Sequence, residues 1–360
     1  MQTDERVLKR IQELSDAKGP SGFEEETIAV ARRNLEDLCD LEEDRSRNLY
    51  IRRRHNTGKL PVVMLDAHSD EVGLMIHSIK PCGTLRFVEL GRWSKNTLAG
   101  TKVLVRNAGG EWIRGVIAAK PPHFLSEKER QANQIPEVCD LVIDIGATSK
   151  EDAVRNFGIR IGEPAVPAAS FAYDQKRDVM SGKGFDCRIG CAVLIETMRR
   201  VSEMDLKVDV VGVLSSQEEV GERGCSVSVH KVKPVTAICF EGCPADDTFT
   251  EPYAVQTAMR KGPMLRFMDT SVICNPRFQR FALETAEKND LPVQASVREG
   301  GGNDAAVIQL LEGAPSIVMG VPVRYIHSAN CLTTYEDYQS SVDLSVALLR
   351  TLDDETIHSF

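Results

Sequence analysis

The sequence contains no unbroken apolar run approaching the roughly 18 residues that a membrane-spanning helix needs. Its opening segment, MQTDERVLKRIQELSDAKG, lacks the apolar centre of a secretion signal and has the charged periodicity of a surface helix. A membrane protein and an exported one are set aside, and a soluble cytoplasmic protein is expected. There is no long basic block either. Forty-four Lys and Arg face 53 Asp and Glu, a net charge of −9 with histidines neutral, which leaves no footprint for nucleic acid. The ten cysteines include no CxxC pair: Cys187 and Cys191, like Cys239 and Cys243, are four apart. Reduced thiols, many of them in the core, are expected rather than disulfides or a thiolate zinc site. The GxGxxG dinucleotide fingerprint is missing, as are internal repeats and low-complexity tracts.

What is present is a chain of 360 residues, 42% hydrophobic, long enough for a substantial core and two domains. In GPSGFEEETIAVARRNLEDL, Ser21 and Glu24 have the spacing of a reciprocal helix cap, followed by amphipathic periodicity. KLPVVMLDAHSDEVG reads as an apolar strand ending in polar residues. Between about residues 74 and 164 the texture changes to short β-like runs, TLRFVEL, TKVLVRN, EWIRGVIA and VCDLVIDIG, separated by Gly, Asn and Pro. This predicts a small β-rich domain, 74–164, inserted into an α/β domain made of 1–73 and 165–360. The second part alternates helices (CAVLIETMRRVSEM, NPRFQRFALETAEKN, NDAAVIQLLEG, YEDYQSSVDLSVALLRTLDD) with strands (LKVDVVGVLSS, PVTAICF, APSIVMGVP). That alternation predicts a largely parallel central sheet flanked by helices.

Open α/β sheets place ligands beyond the carboxyl ends of their strands. VVMLD runs into His68 and Asp70, VDVVGVLSS into Glu218 and Glu219, TAICF into Glu241, and SIVMG lies just before His327. Asp186 arrives in the loop SGKGFDCRIG. This mixture of imidazole and carboxylate suits divalent zinc, cobalt or manganese. Asp70, two residues after His68, can hold the second ring nitrogen and fix the tautomer. Asp186 has one oxygen for each of two ions, or else forms a turn. Of the adjacent Glu218 and Glu219, one can bind metal while the other serves as general base. GGGNDAA offers Gly301, Gly302, Asn303 and Asp304, either to wrap a ligand or to cap a helix. His55, His77, His123, His230 and His358 lack converging carboxylates and are read as structural or surface residues.

In order and spacing, GPSGFE, AHSDEVG, GKGFDCRIG, SSQEEVGERG, GGNDA and YIHS resemble the M42 family of metallo-aminopeptidases, over nearly the whole chain. The resemblance implies an α/β catalytic domain with an inserted β-rich assembly domain, and two divalent ions per subunit, Zn²⁺ or Co²⁺ with Mn²⁺ as a further option. It implies His68 and His327 as terminal ligands on different ions, Asp186 as the bridge, Glu219 and Glu241 as ligands, Glu218 as general base and Asp70 as support for His68. Glu241 replaces the aspartate of many relatives. Cys187 replaces an asparagine or aspartate, which places a thiol beside the centre. The implied reaction is release of the first residue from short peptides with a free N-terminus. The implied assembly is a homo-oligomer built from dimers, up to a dodecamer. A metal-dependent deacylase or amidase, a non-enzymatic assembly protein and a glycosidase are the alternatives. The last fits poorly because adjacent glutamates cannot flank a sugar bond.

Overall fold

A computed structural model describes residues 3–128 and 135–360. The fold is α/β. Its main sheet runs in the order β1-β2-β12-β3-β13-β16-β14-β15, built from Cys39–Glu43 (β1), Leu49–Arg53 (β2), Val62–His68 (β3), Asp209–Ser215 (β12), Thr236–Pro244 (β13), Met264–Met268 (β14), Gln294–Val297 (β15) and Ser316–Val323 (β16). The middle strands β12, β3, β13 and β16 are parallel, whereas β2 joins β12, and β14 joins β16, in antiparallel sense. Each middle strand is buried almost throughout, which is why these segments read as continuous apolar runs rather than alternating ones.

Helices cover both faces. Glu5–Asp16 (α1), Glu25–Leu35 (α2), Phe185–Val201 (α3), Pro276–Lys288 (α5) and Tyr335–Thr351 (α7) pack on one face around Leu14, Leu35, Ile195, Phe278 and Leu348. Arg223–Val232 (α4) and Asp304–Glu312 (α6) cover the other through Cys225, Val229 and Ile308. Local chemistry sets the helix ends. Asp4, Asn275, Asn303 and Thr334 each accept a backbone N–H of the following turn, and Gly313 closes α6 in the left-handed conformation.

After β3 the chain enters a closed barrel, β4-β5-β8-β7-β6-β9. Its strands are Gly73–Ile79 (β4), Leu85–Leu90 (β5), Lys102–Arg106 (β6), Trp112–Ala118 (β7), Val142–Asp144 (β8) and Pro164–Pro167 (β9). It has its own core of Leu74, Phe87, Val105, Ile117 and Ile143. Leu74 pairs with Ala165 and Met75 with Pro164, so the chain enters and leaves the barrel side by side. Ala172–Asp174 (β10), Val179–Gly182 (β11) and Cys331–Thr333 (β17) form a small third sheet.

Two expectations change. β1, β2, β14 and β15 are four strands of the main sheet that the apolar runs did not predict. Ser21 does not cap α2. Its hydroxyl donates to Asp70 Oδ2 at 2.6 Å, and Glu24 accepts the N–H of Gly22 at 2.7 Å. The GPSGFE turn therefore holds the end of β3 as well as starting a helix.

Candidate metal centre

β3 and β12 run parallel in a register that sets His68 beside Ser215, and both strands end there. The chain beyond β12 turns back toward β3: Asp70 accepts the backbone N–H of Glu218 at 3.0 Å and of Glu219 at 3.3 Å. Adjacent glutamates are thus suspended from one carboxylate. Burial works against the charge on Asp70, but His68, Ser21 and the Glu218 N–H more than offset it and hold its carboxyl below the usual range.

Asp186 stands in the first turn of α3, where the backbone is unwound (φ −87°, ψ 106°). Its Oδ1 lies 3.1 Å from His68 Nε2 and its Oδ2 lies 3.1 Å from His327 Nε2. Each histidine has a further carboxylate. Glu241 Oε2 is 3.7 Å from His68 Nε2, and Glu219 Oε2 is 3.7 Å from His327 Nε2. Glu218 Oε2 stands 3.9 Å from His68 Nε2. His68 Nδ1 faces Asp70 Oδ1 at 3.3 Å, which leaves Nε2 turned toward Asp186. His327 sits in the left-handed region (φ 56°), an uncommon conformation for a non-glycine residue. Its carbonyl accepts the N–H of Ser94 at 3.0 Å, and Asp186, helped by the backbone of Arg92, raises its ring above the usual imidazole range against the effect of burial.

The donor set fits a divalent cation. Glu219 Oε1 is buried with no hydrogen-bond partner, and ligand atoms of His68, Asp186 and Glu219 lie within 4.8 Å of one another. Among the described residues, the ion-pair partners of Asp186, Glu218, Glu219 and Glu241 are histidines; no Lys or Arg reaches them. Burial, reinforced by mutual repulsion, pushes the carboxyls of Glu218 and Glu219 well above the usual range, and burial raises Glu241 too. Burial also works against the charge on the partly exposed Asp186, but the hydrogen bonds from His327 and His68 hold it low. Such crowding of carboxylates around two histidines in a low-dielectric site is costly without a cation.

The remaining candidates separate. Cys187 is fully buried and its Sγ donates to Phe240 O at 3.1 Å; burial drives its thiol far upward. Its sulfur nevertheless shares a 4.8 Å cluster with His68 and Glu241 donor atoms. Asn303 takes the helix-capping alternative, accepting the N–H of Ala305, while its Nδ2 donates to Asp269 at 2.7 Å. Asp304 turns into the core beside Asp66, where burial and the neighbouring carboxylate push its carboxyl well above the usual range. Gly301 and Gly302 line the loop opposite Arg266 and Glu222. His55, His77, His230 and His358 bond neighbours outside the cluster.

Three supporting groups were not foreseen. Ser21 holds Asp70. Gly91, in the turn after β5, has φ +79°, and a Cβ there would stand 2.8 Å from Glu219 Oε2, so the barrel closes directly over the site. Lys183 donates to both oxygens of Glu71, at 2.6 and 2.8 Å, and to Ala17 O, tying the segment after His68 to the loop before Asp186. The GKG and SDE motifs contain these residues, but nothing in the sequence pairs them.

Residues 48–344 match the family model for M42 glutamyl aminopeptidase. The chain belongs to the M42 peptidase family. It is a hydrolase, a metal-dependent aminopeptidase. It is 31% identical over 357 residues to the lysyl aminopeptidase of Pyrococcus furiosus, covering 97% of each chain. The TET aminopeptidase of a marine sediment archaeon of the Thaumarchaeota superposes with a TM-score of 0.94 at 36% identity, covering 99% of each. The TET1 peptidase of Pyrococcus horikoshii, which assembles into a tetrahedron or a large octahedral shell, superposes with a TM-score of 0.86 at 30% identity, covering 96% of this chain and 100% of that one.

Proposed function

We propose that this M42 aminopeptidase releases the first residue of short peptides with a free N-terminus at a two-ion centre. The reading is carried by one observation: the two oxygens of Asp186 each face a different histidine at 3.1 Å, and each histidine has a carboxylate of its own, Glu241 or Glu219. His68, Glu241 and Asp186 would hold one divalent ion, and His327, Glu219 and Asp186 the other, zinc, cobalt and manganese all suiting this donor set. Bound there, such ions supply Lewis acidity toward a scissile carbonyl and ease the ionisation of water.

Asp70 fixes the His68 ring and fastens Glu218 and Glu219 through their backbone N–H groups. Glu218 carries no ligand role in this assignment and stands at the edge of the cluster, 3.9 Å from His68 Nε2. It acts as the base that takes a proton from the attacking water and returns it to the leaving amine. The metal-dependent deacylase is the second reading, since the same residues would cleave an N-acyl bond.

The 74–164 segment is proposed as the inserted domain and as the source of assembly contacts, giving a homo-oligomer built from dimers, with a dodecamer as the end state. The assembled shells of the Pyrococcus horikoshii relative support this. A cytoplasmic location is proposed because all ten cysteines are free, as in a reducing compartment.

The deciding experiment compares metal-loaded and metal-stripped protein on free-amine aminoacyl peptides and on their N-acetyl analogues. Cleavage of the free-amine series alone, dependent on metal, is the expected result. Cleavage of the acylated series alone would establish the deacylase.

A further inference from the structure

Two cationic side chains near the centre are already committed. Arg266 donates to Asp269 Oδ2 at 2.8 Å and to Cys243 Sγ at 3.1 Å. Arg324 forks onto Asp247 at 2.9 and 2.7 Å. Glu222 differs. Among the described residues its half-buried carboxylate has no donor and no ion-pair partner. It occupies the cap position of α4 with φ 47° and ψ 36°, yet its side chain caps nothing. It turns instead to the glycine loop, where a Cβ on Gly302 would stand 3.1 Å from its Oε1 and 3.7 Å from Ser271.

That loop offers room. A side chain at Gly300 would meet nothing within 4 Å, and one at Gly301 would meet only Arg266, at 3.7 Å. Asn303 at the end of the loop is fastened to Asp269. Glu222 follows the proposed ligand Glu219 by three residues, and its backbone N–H donates to the carbonyl of Glu218 at 3.0 Å. An open wall thus ends in one uncommitted carboxylate beside the centre.

We propose that Glu222 is the specificity-determining carboxylate of the subsite that receives the substrate's first side chain, and that it selects a cationic one, lysine or arginine. This rests on the aminopeptidase reading above. A half-buried carboxylate without a partner gains a charge-assisted contact from an incoming ammonium or guanidinium, whereas an acidic side chain would meet repulsion from Glu222. Arg92, on the His327 side, is exposed to solvent, where its field is screened.

The test measures kcat/KM on Lys, Arg, Leu and Glu p-nitroanilides with metal-loaded wild type, Glu222→Gln and Glu222→Lys. The wild type should favour Lys and Arg over Glu, and Glu222→Gln should lower the Lys-to-Leu ratio about tenfold, the effect of one contact to a charged group. Glu222→Lys should tip the Lys-to-Glu ratio toward Glu. Ratios taken on one preparation are insensitive to the fraction folded, so a destabilised variant still reports. Ratios that do not move in either variant, or a wild type that prefers Glu or Leu, overturn the assignment of Glu222 while aminopeptidase activity stands. No cleavage of any of the four by wild type would sink the aminopeptidase reading and the subsite with it.

Discussion

Glu218 and Glu24 show how one residue type acquires different tasks from its surroundings. Glu218→Gln keeps the shape of the site and removes the proposed base, so kcat should fall by about 10²–10⁴, the usual contribution of general acid–base catalysis. Metal content measured by mass spectrometry should stay at the wild-type level; a matching loss of metal would instead make Glu218 a ligand. Glu24 is fully buried, and burial, with repulsion from Asp70, lifts its carboxyl from 4.5 to about 7. The folded state therefore holds a proton that the unfolded chain releases, and its stability contribution is complete below pH 4.5 and lost as pH rises through about 7. A shift of that size corresponds to roughly 3 kcal/mol. Glu24→Gln should stabilise metal-free protein more at pH 8 than at pH 5 in urea unfolding; equal effects at both would show that the carboxyl titrates normally. Residue identities at the strand ends were legible because few folds leave so many His, Asp and Glu immediately after apolar strands. The task of Glu24 was not legible, because the spacing of Ser21 and Glu24 is also that of a helix cap.

At the scale of elements, the site depends on turns as much as on strands. In the turn after β5, Gly91→Ala adds a Cβ that would lie 2.8 Å from Glu219 Oε2 and 2.9 Å from Val72 Cγ1, at a backbone angle that side chains rarely adopt. Displacing Glu219 should weaken metal binding on the His327 side, seen as one class of site lost in a calorimetric metal titration. Two unchanged classes would mean that the turn yields instead. Lys183 and Glu71 are both buried, so Lys183→Met should cost about 3–5 kcal/mol by stranding a carboxylate, measurable by urea unfolding. A loss below about 1 kcal/mol would show that Arg188, 3.5 Å from Glu71, suffices alone. The middle strands were readable as apolar runs, but β1 and β2 were not. CDLEE and LYIRR are recognisable as strands only through their antiparallel pairing with each other and with β12.

For the whole molecule, the barrel is joined to the main sheet by two adjacent strands, since Leu74 pairs with Ala165. Replacing the residues between them with a short Gly-Ser turn should leave the α/β unit folded, its core being separate from that of the barrel. If the barrel supplies the assembly contacts, sedimentation equilibrium should show fewer subunits per particle for the shortened chain than for wild type. Turnover should also fall, because the Gly91 turn and the Ser94 contact to His327 leave with it. An unchanged number of subunits would move the assembly contacts to the α/β unit. No helix among the described residues is long and apolar enough to cross a membrane.

The sequence by itself determined the α/β class, the β-rich change of texture in the middle, and the residue types that gather at the strand ends. These follow from apolar runs, turn residues and the rule that ligands lie beyond carboxyl ends, all of which act over short stretches of chain. Only the tertiary structure decided which oxygen of Asp186 faces which histidine, that Asp304 turns into the core, that Ser21 serves Asp70, and that the barrel reaches back over Glu219. Each is a contact between segments tens to hundreds of residues apart. Its geometry is set by sheet register and core packing, which no local pattern encodes.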